Sequence, residues 1–211
     1  EEVTHDGARA ANKVPIGTRV LINGEPTEST LAVGTKGAMR FTLRTHGKAA
    51  FIGDGVSERG AMLLDVTAGG VTTRFAGPEV PTVEDGGREI SVRHENLAGL
   101  SVTRKVFVPR GGYFARYLEI FRNPTAAPIT IDADVVSYPT GANNRLFKTS
   151  SGDAILDVLG ATPDGWFITA RDGDTMSAAL VFQGAEAALH AGSSAFTDRS
   201  NASRQWARAS Y

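Results

Sequence analysis

An all-β chain, folded as an antiparallel β-sandwich of supersandwich-like length with little helix, is what this sequence predicts. Three observations carry that expectation. Short runs alternate apolar and polar residues, the period of a half-buried strand. Turn-forming Gly, Asn, Asp and Pro punctuate those runs about every ten residues, and glycine alone supplies 24 of the 211 positions. No stretch sustains a helical period over several turns, and no repeat of 20 to 50 residues recurs, so a solenoid is excluded.

The elements follow in chain order. Residues 1–12 read as a lead-in or linker, and residues 13–211 as a single sandwich domain. A sub-boundary suggests itself at 77–87, where "GPEVPTVEDGG" concentrates two prolines and three glycines. "TRVLIN" is the first strand and ends at Asn23-Gly24, a pair favoured in tight turns. In "AMRFTLRT", Met39, Phe41 and Leu43 share one face while Arg40, Thr42 and Arg44 share the other. His46-Gly47 then reads as a hairpin turn. "AMLLDVTAGGVTTRF" predicts a hairpin around Gly69-Gly70, and "REISVRH" and "LSVTRKVFVP" alternate in the same way.

Residues 113–138, "YFARYLEIFRNPTAAPITIDADVVSY", are the most strongly patterned stretch. Phe114, Leu118 and Ile120 lie on one face, interrupted by Arg116; Tyr113, Ala115, Tyr117 and Phe121 lie on the other. Two apolar faces predict a strand placed centrally and covered on both sides. Beyond the Asn-Pro-Thr-Ala-Ala-Pro bend, Ile129, Ile131, Ala133 and Val135 form a buried face, and Thr130, Asp132 and Asp134 point the other way. The two runs read as the arms of one hairpin. "AILDVLG", "GWFITA", "MSAALVFQ" and "RQWARASY" are later strand candidates, and "GAEAALHAGSS" is too short for more than a helical turn. The last of these runs stops without a turn or polar tail. It predicts a fragment of a longer polypeptide, with an unpaired edge near Trp206 open to β-augmentation by another chain.

Composition narrows the function classes. Lys plus Arg (22) nearly cancels Asp plus Glu (23), so no global field points to nucleic acid or an anionic membrane. The longest apolar runs fall far short of the roughly 20 residues of a membrane helix, so no membrane insertion is expected. With no cysteine, disulfides, thiolate metal sites and cysteine nucleophiles are all removed.

Chemistry-bearing motifs are sparse. His5, His46, His94 and His190 show neither metal-site spacing nor an HExxH pattern. His94-Glu95-Asn96 is the most polar cluster and reads as a strand-end turn. "TSSGD" (149–153) lacks the elbow that exposes a catalytic serine, and no phosphate-binding glycine loop occurs. No catalytic residue is assigned. Asp132 and Asp134 stand about 7 Å apart on one strand face, spacing that suits Ca²⁺ or an acid–base pair. Arg116 and Arg122, on the neighbouring strand of the expected hairpin, offer those carboxylates surface ion pairs instead. "DGDT" makes Asp172 and Asp174 the better Ca²⁺ candidates, with oxygen ligands flanking a flexible glycine, though it lacks the distal Glu of an EF-hand loop. Trp166, Trp206 and Tyr117 are the candidate ligand-binding residues, as rings that stack on sugar faces; core packing is the competing role for the tryptophans.

"GLSVTRKVFVPRGGYFARYLEIFRNPTAAPITIDADV" resembles the β-sandwich modules of large multidomain bacterial cell-surface and secreted proteins. In those, a strand ending in Val-Pro leads to an aromatic-Arg-Tyr-Leu strand, an Asn-Pro bend and a Val/Ile-Thr-Val/Ile strand. "TSSGD" and "DGWFITARDGD" extend the likeness over about residues 99–182. The length is similar to that of the supersandwich modules of carbohydrate-active enzymes. The resemblance implies an extracellular or cell-surface location and a non-catalytic structural or adhesion module, partnered by other domains or chains of a surface assembly. The alternative expectation is a carbohydrate-binding or accessory module of a glycan-active enzyme, with glycan as its partner.

Overall fold

Backbone hydrogen bonding sorts the chain into antiparallel ladders. The computed structural model describes residues 19–24, 27–33, 39–45, 48–54, 62–77, 81–107, 115–137, 144–171, 177–184, 187, 189–197 and 206–211; up to residue 54 it describes backbone alone. The strands are β1 (Arg19–Gly24), β2 (Thr27–Val33), β3 (Met39–Thr45) and β4 (Lys48–Asp54), followed by β5 (Leu63–Ala68), β6 (Val71–Arg74) and β7 (Thr82–Glu84). A 3₁₀ turn, Asp85–Gly87, leads to β8 (Glu89–Leu97), β9 (Leu100–Phe107), β10 (Arg116–Arg122) and β11 (Asp132–Ser137). The remainder are β12 (Asn144–Thr149), β13 (Trp166–Arg171), β14 (Ser177–Val181), β15 (Ser193–Thr197) and β16 (Trp206–Ser210). The expected all-β class is what the chain adopts.

Four sheets result. Sheet A is the meander β1-β2-β3-β4; sheet B runs β10-β9-β8-β7; sheet C runs β15-β16-β11-β5-β6; sheet D runs β12-β13-β14. Local sequence explains the tightest reversals. Gly69 and Gly70 have φ of +56° and +79° between the paired residues Ala68 and Val71, the two positive angles of a type I′ turn. Ala98 and Gly99 close β8 onto β9 in the same way, with φ of +52° and +84°. Just before that turn, Glu95 and Asn96 together oppose the single residue Ser101, a β-bulge that Asn96 permits by adopting φ of +57°. The His94-Glu95-Asn96 cluster is therefore a bulge inside β8. Asn23 and Gly24 also lie within their strand, paired with Glu28 and Thr27, and are not the turn pair that the sequence suggests.

The core lies between sheets B and C. Leu64 and Val66 from β5, Ile90 and Val92 from β8, and Leu100, Val102 and Val106 from β9 pack with Phe75, Leu97 and Ala133 into one buried cluster. Burying each such side chain contributes about 1.5–3 kcal/mol. The cluster draws residues from both sides of the 77–87 stretch.

The 113–138 stretch departs from the hairpin reading. β10 pairs with β9 in sheet B, and β11 pairs with β5 and β16 in sheet C, so the two strands lie in different sheets. The connection 123–131 is a crossing, and its start is fixed by Asn123. The Asn123 side-chain oxygen accepts hydrogen bonds from the Thr125 N–H and hydroxyl, both at 2.8 Å, and its amide donates to the Ala127 carbonyl at 2.7 Å. Such an Asx turn bends the chain out of the plane of its strand. Nor is β10 central. Among the described residues it is the edge of sheet B, with Leu118 and Ile120 exposed on its outer face. The faces of β11 do follow the alternation: Ala133 is buried, Val135 partly so, and Asp132 exposed.

Two further expectations change. "AILDVLG" is a loop, because Asp153 and Asp157 draw the backbone into turns: Asp153 accepts from the Ile155 N–H, and Asp157 from those of Leu159 and Gly160. β16 is not an edge. It is hydrogen-bonded to β15 on one side and β11 on the other, and the ladder continues through reciprocal Tyr211–Ala133 backbone bonds of 3.0 and 2.9 Å. Both of its edges are thereby filled, which removes the proposed β-augmentation site at the C-terminal strand. No described helix is long and apolar enough to cross a membrane.

Candidate functional site: an apolar cavity where three sheets meet

Strand alternation aims β9 and β10 at the sandwich interior through Val102, Arg104 and Val106 and through Tyr117, Glu119 and Phe121. The pairing register places Arg104 directly opposite Glu119 and Tyr117 opposite Val106. A charged pair thus occupies a position where the pattern calls for apolar residues. Arg104 donates from Nε to Glu119 Oε1 at 2.7 Å, and its Nη2 lies 2.5 Å from the same oxygen. The Arg104 guanidinium also lies over the rings of Phe75 and Tyr117, 5.3 and 5.8 Å from their centroids, so aromatic faces share in replacing its lost hydration. Glu119 Oε2 is shielded from solvent and has no hydrogen-bond partner among the described residues.

This wall bounds a cavity of about 800 Å³. Tyr117, Glu119 and Phe121 of sheet B form one side; Leu64, Ala133 and Val135 of sheet C form a second. The third comes from sheet D and the segment after it, through Phe167, Leu180 and Phe182. Tyr211 fastens the second side to the third: its hydroxyl donates to the Phe182 carbonyl at 2.5 Å, and burial pushes its phenol pKa up. The volume is that of small-molecule sites, and the lining is largely apolar, so the space favours an apolar occupant over a heavily hydroxylated one.

A second polar centre lies in the β12–β13 connection. Asp164 is 1% exposed, yet its Oδ1 accepts from the Ser151 N–H at 2.9 Å and the Ser150 hydroxyl at 3.1 Å, and its Oδ2 from the Asp157 N–H at 2.9 Å. Burial works to raise the Asp164 pKa. Hydrogen bonds from the Asp157 and Ser151 backbone, helped by the Ser151 and Thr149 side chains, outweigh it and hold the carboxyl below its ordinary value. The outer face of sheet B carries a network of a different kind. Lys105 lies 2.5 Å from Glu84 and 3.3 Å from Glu89, and Arg116 reaches Glu89 at 3.3 Å. The hydrogen bond from Lys105 is the main cause lowering the Glu84 pKa.

The residues singled out from sequence do not converge on one place. Tyr117 lines the cavity. Trp166 is half-buried at the start of β13, and it is the next residue, Phe167, that lines the cavity. Trp206 opens β16 opposite Thr197; its side chain, Asp172 and Asp174 lie outside the described residues. Asp132 and Asp134 are on the other face of β11 from the cavity-lining Ala133 and Val135, with Asp134 opposite Asp65, which Arg74 holds through two hydrogen bonds of 2.7 and 2.8 Å. Arg116 and Arg122 belong to sheet B and are not their strand neighbours. His94 is half-buried, its ring 5.6 Å from that of Phe75 and its Nδ1 accepting from the Ala76 N–H; His190 is exposed, and His5 and His46 lie outside the described residues. Among the described residues no three His, Asp or Glu side chains are grouped to hold a metal ion.

Sequence reasoning missed Arg104, Glu119 and Asp164. The first two carried a signal: each interrupts an otherwise apolar face of its own strand. Asp164 carried none, because Thr-Pro-Asp-Gly reads as turn chemistry alone.

The fold and this site define an all-β, sandwich-like protein with an apolar cavity open to solvent. Compared with protein-family models, curated proteins and solved structures, the chain matches none of them.

Proposed function

We propose that this chain is a non-catalytic structural or adhesion module of a bacterial extracellular or cell-surface protein. One observation carries the reading: its buried charges are committed to holding the framework. Arg104 and Glu119 neutralise each other inside the sandwich, and Asp164 ties the β12–β13 connection through three hydrogen bonds. A carboxylate held at an arginine or saturated by donors is poorly placed to move protons in a reaction. Leu118 and Ile120, exposed on the outer face of the edge strand β10, supply an apolar surface for neighbouring domains of an assembly.

The test has two parts. On intact bacteria carrying the full-length protein, an antibody raised against this domain is expected to label the cells without lysis. The purified domain is expected to show neither saturable binding on a glycan array nor turnover of chromogenic glycosides. Labelling only after lysis removes the surface placement. Saturable glycan binding instead supports the accessory module of a glycan-active enzyme, and turnover overturns the non-catalytic reading.

A further inference from the structure

We propose that the cavity between sheets B, C and D is a binding site for an uncharged apolar small molecule carrying one hydroxyl donor, an apolar alcohol or a phenol. The inference does not depend on whether the module is adhesive. It starts from the lining. The cavity of about 800 Å³ opens to solvent past Ala179, Val181 and Leu189, which are exposed. Water held against its apolar walls finds few polar partners, so an apolar guest that displaces it gains free energy. Phe121, Phe167, Phe182, Leu64 and Val135 present carbon to the interior, which selects an apolar body.

The donor is called for by Glu119. Its Oε1 takes both contacts from Arg104, while Oε2 is buried and has no hydrogen-bond partner among the described residues. A buried carboxylate oxygen without a donor is costly. Oε2 is closed off from the open cavity, but Glu119 lines that cavity and the last torsion of a glutamate is broad, so a turn of the carboxylate can present an oxygen to a guest there. A guest hydroxyl then supplies the missing hydrogen bond. A cationic guest is disfavoured because Arg104 already balances the charge, and an anionic guest because it would face a carboxylate.

The probe pair 2-naphthol and 2-methoxynaphthalene separates these elements, since the two share an apolar body and only the first donates a hydrogen bond. Fluorescence titration of the intact chain is expected to show saturable binding of both, with 2-naphthol about tenfold tighter. Ala179 is exposed and lines the cavity from β14, an edge of sheet D among the described residues, so Ala179→Trp is expected to plug the site without disturbing the core and to abolish both binding events. Glu119→Gln keeps the side-chain shape and an oxygen for Arg104, and it is expected to bring the two affinities to within about twofold. Thermal melts verify that each variant is folded. The proposal is overturned by no saturable binding of either probe, by binding that survives the plug, or by equal affinities in the unmodified protein.

Discussion

Arg104 and Asp164 are both almost closed to water, at 2% and 1% exposure, yet they are kept charged by different means. Arg104 sits in a wall of apolar side chains, where Glu119 supplies a formal counter-charge and two aromatic rings turn their faces to the guanidinium. Asp164 accepts from two main-chain N–H groups and one hydroxyl. The first is an ion pair that an apolar pair of similar shape can replace. The second is a bracket that holds main-chain N–H groups, and no single hydrophobic side chain can substitute for it. The contrast separates what sheet packing tolerates from what a loop demands.

The sharpest way to break that contrast is to remove one charge at a time. Glu119→Leu takes the Glu119 counter-charge away from the buried Arg104 guanidinium and is expected to destabilise the fold by about 3–5 kcal/mol in urea denaturation. Combining it with Arg104→Leu should recover most of the loss, bringing stability within about 1 kcal/mol of the starting protein or above it. If the double variant stays as unstable as the single one, Arg104 acts through its stacking on Phe75 and Tyr117 and not through charge balance.

At Asp164 no such rescue exists. Asp164→Ala strands the N–H groups of Ser151 and Asp157 and leaves the Ser150 hydroxyl with only the bond it accepts from the Gly165 N–H among the described residues, at an expected loss of about 3 kcal/mol. Asp164→Asn should lose about half as much, because its one oxygen satisfies one side of the bracket while its NH₂ confronts a donor on the other. Hydrogen exchange at Ser151 and Asp157 would report the loss locally, and unchanged protection there would count against the bracket. The neighbouring Gly165 is expected to be nearly as intolerant. A Cβ at that position would come within 2.7 Å of the Gln183 carbonyl oxygen, so Gly165→Ala should cost about 1–3 kcal/mol, read from the same denaturation curves.

The same two regions show how far sequence carried. Alternation in residues 116–122 identified β10 as a strand and separated its two faces correctly, because the period of side-chain direction is a property of the strand itself. It did not reveal that β10 is an edge, since apolar residues on both faces describe a covered central strand and an exposed edge alike. The bend after Arg122 was legible as a break but not as a crossing between sheets. Hairpin and crossing differ in what β11 finds as partners, and those are β5 and β16, each more than 60 residues away in sequence. Arg104 and Glu119 were individually visible as charges on apolar faces. Their pairing required the β9–β10 register, which neither strand encodes alone. Asp164 was hidden for the opposite reason: its partners are main-chain groups, which every residue type supplies.

The smallest expected effect refines the comparison, because it asks whether the bracket requires the charge on Asp164 or only its shape. Donors around the carboxylate hold its pKa below the ordinary range in the folded state. A depressed folded-state value contributes stability above the unfolded carboxyl pKa of about 3.9, and that contribution is lost as pH falls through the folded value. Asn at this position keeps the size and cannot titrate. The stability gap between the unmodified protein and Asp164→Asn is therefore expected to be constant from pH 7 to about pH 5 and to narrow progressively below about pH 4. Other acidic groups titrate in both proteins and cancel in the difference. Paired urea denaturations at pH 7, 5, 4 and 3 measure it. A gap that persists undiminished at pH 3 would show that geometry alone sustains the loop, and the distinction between Asp164 and Arg104 would then rest on the number of their partners and not on charge.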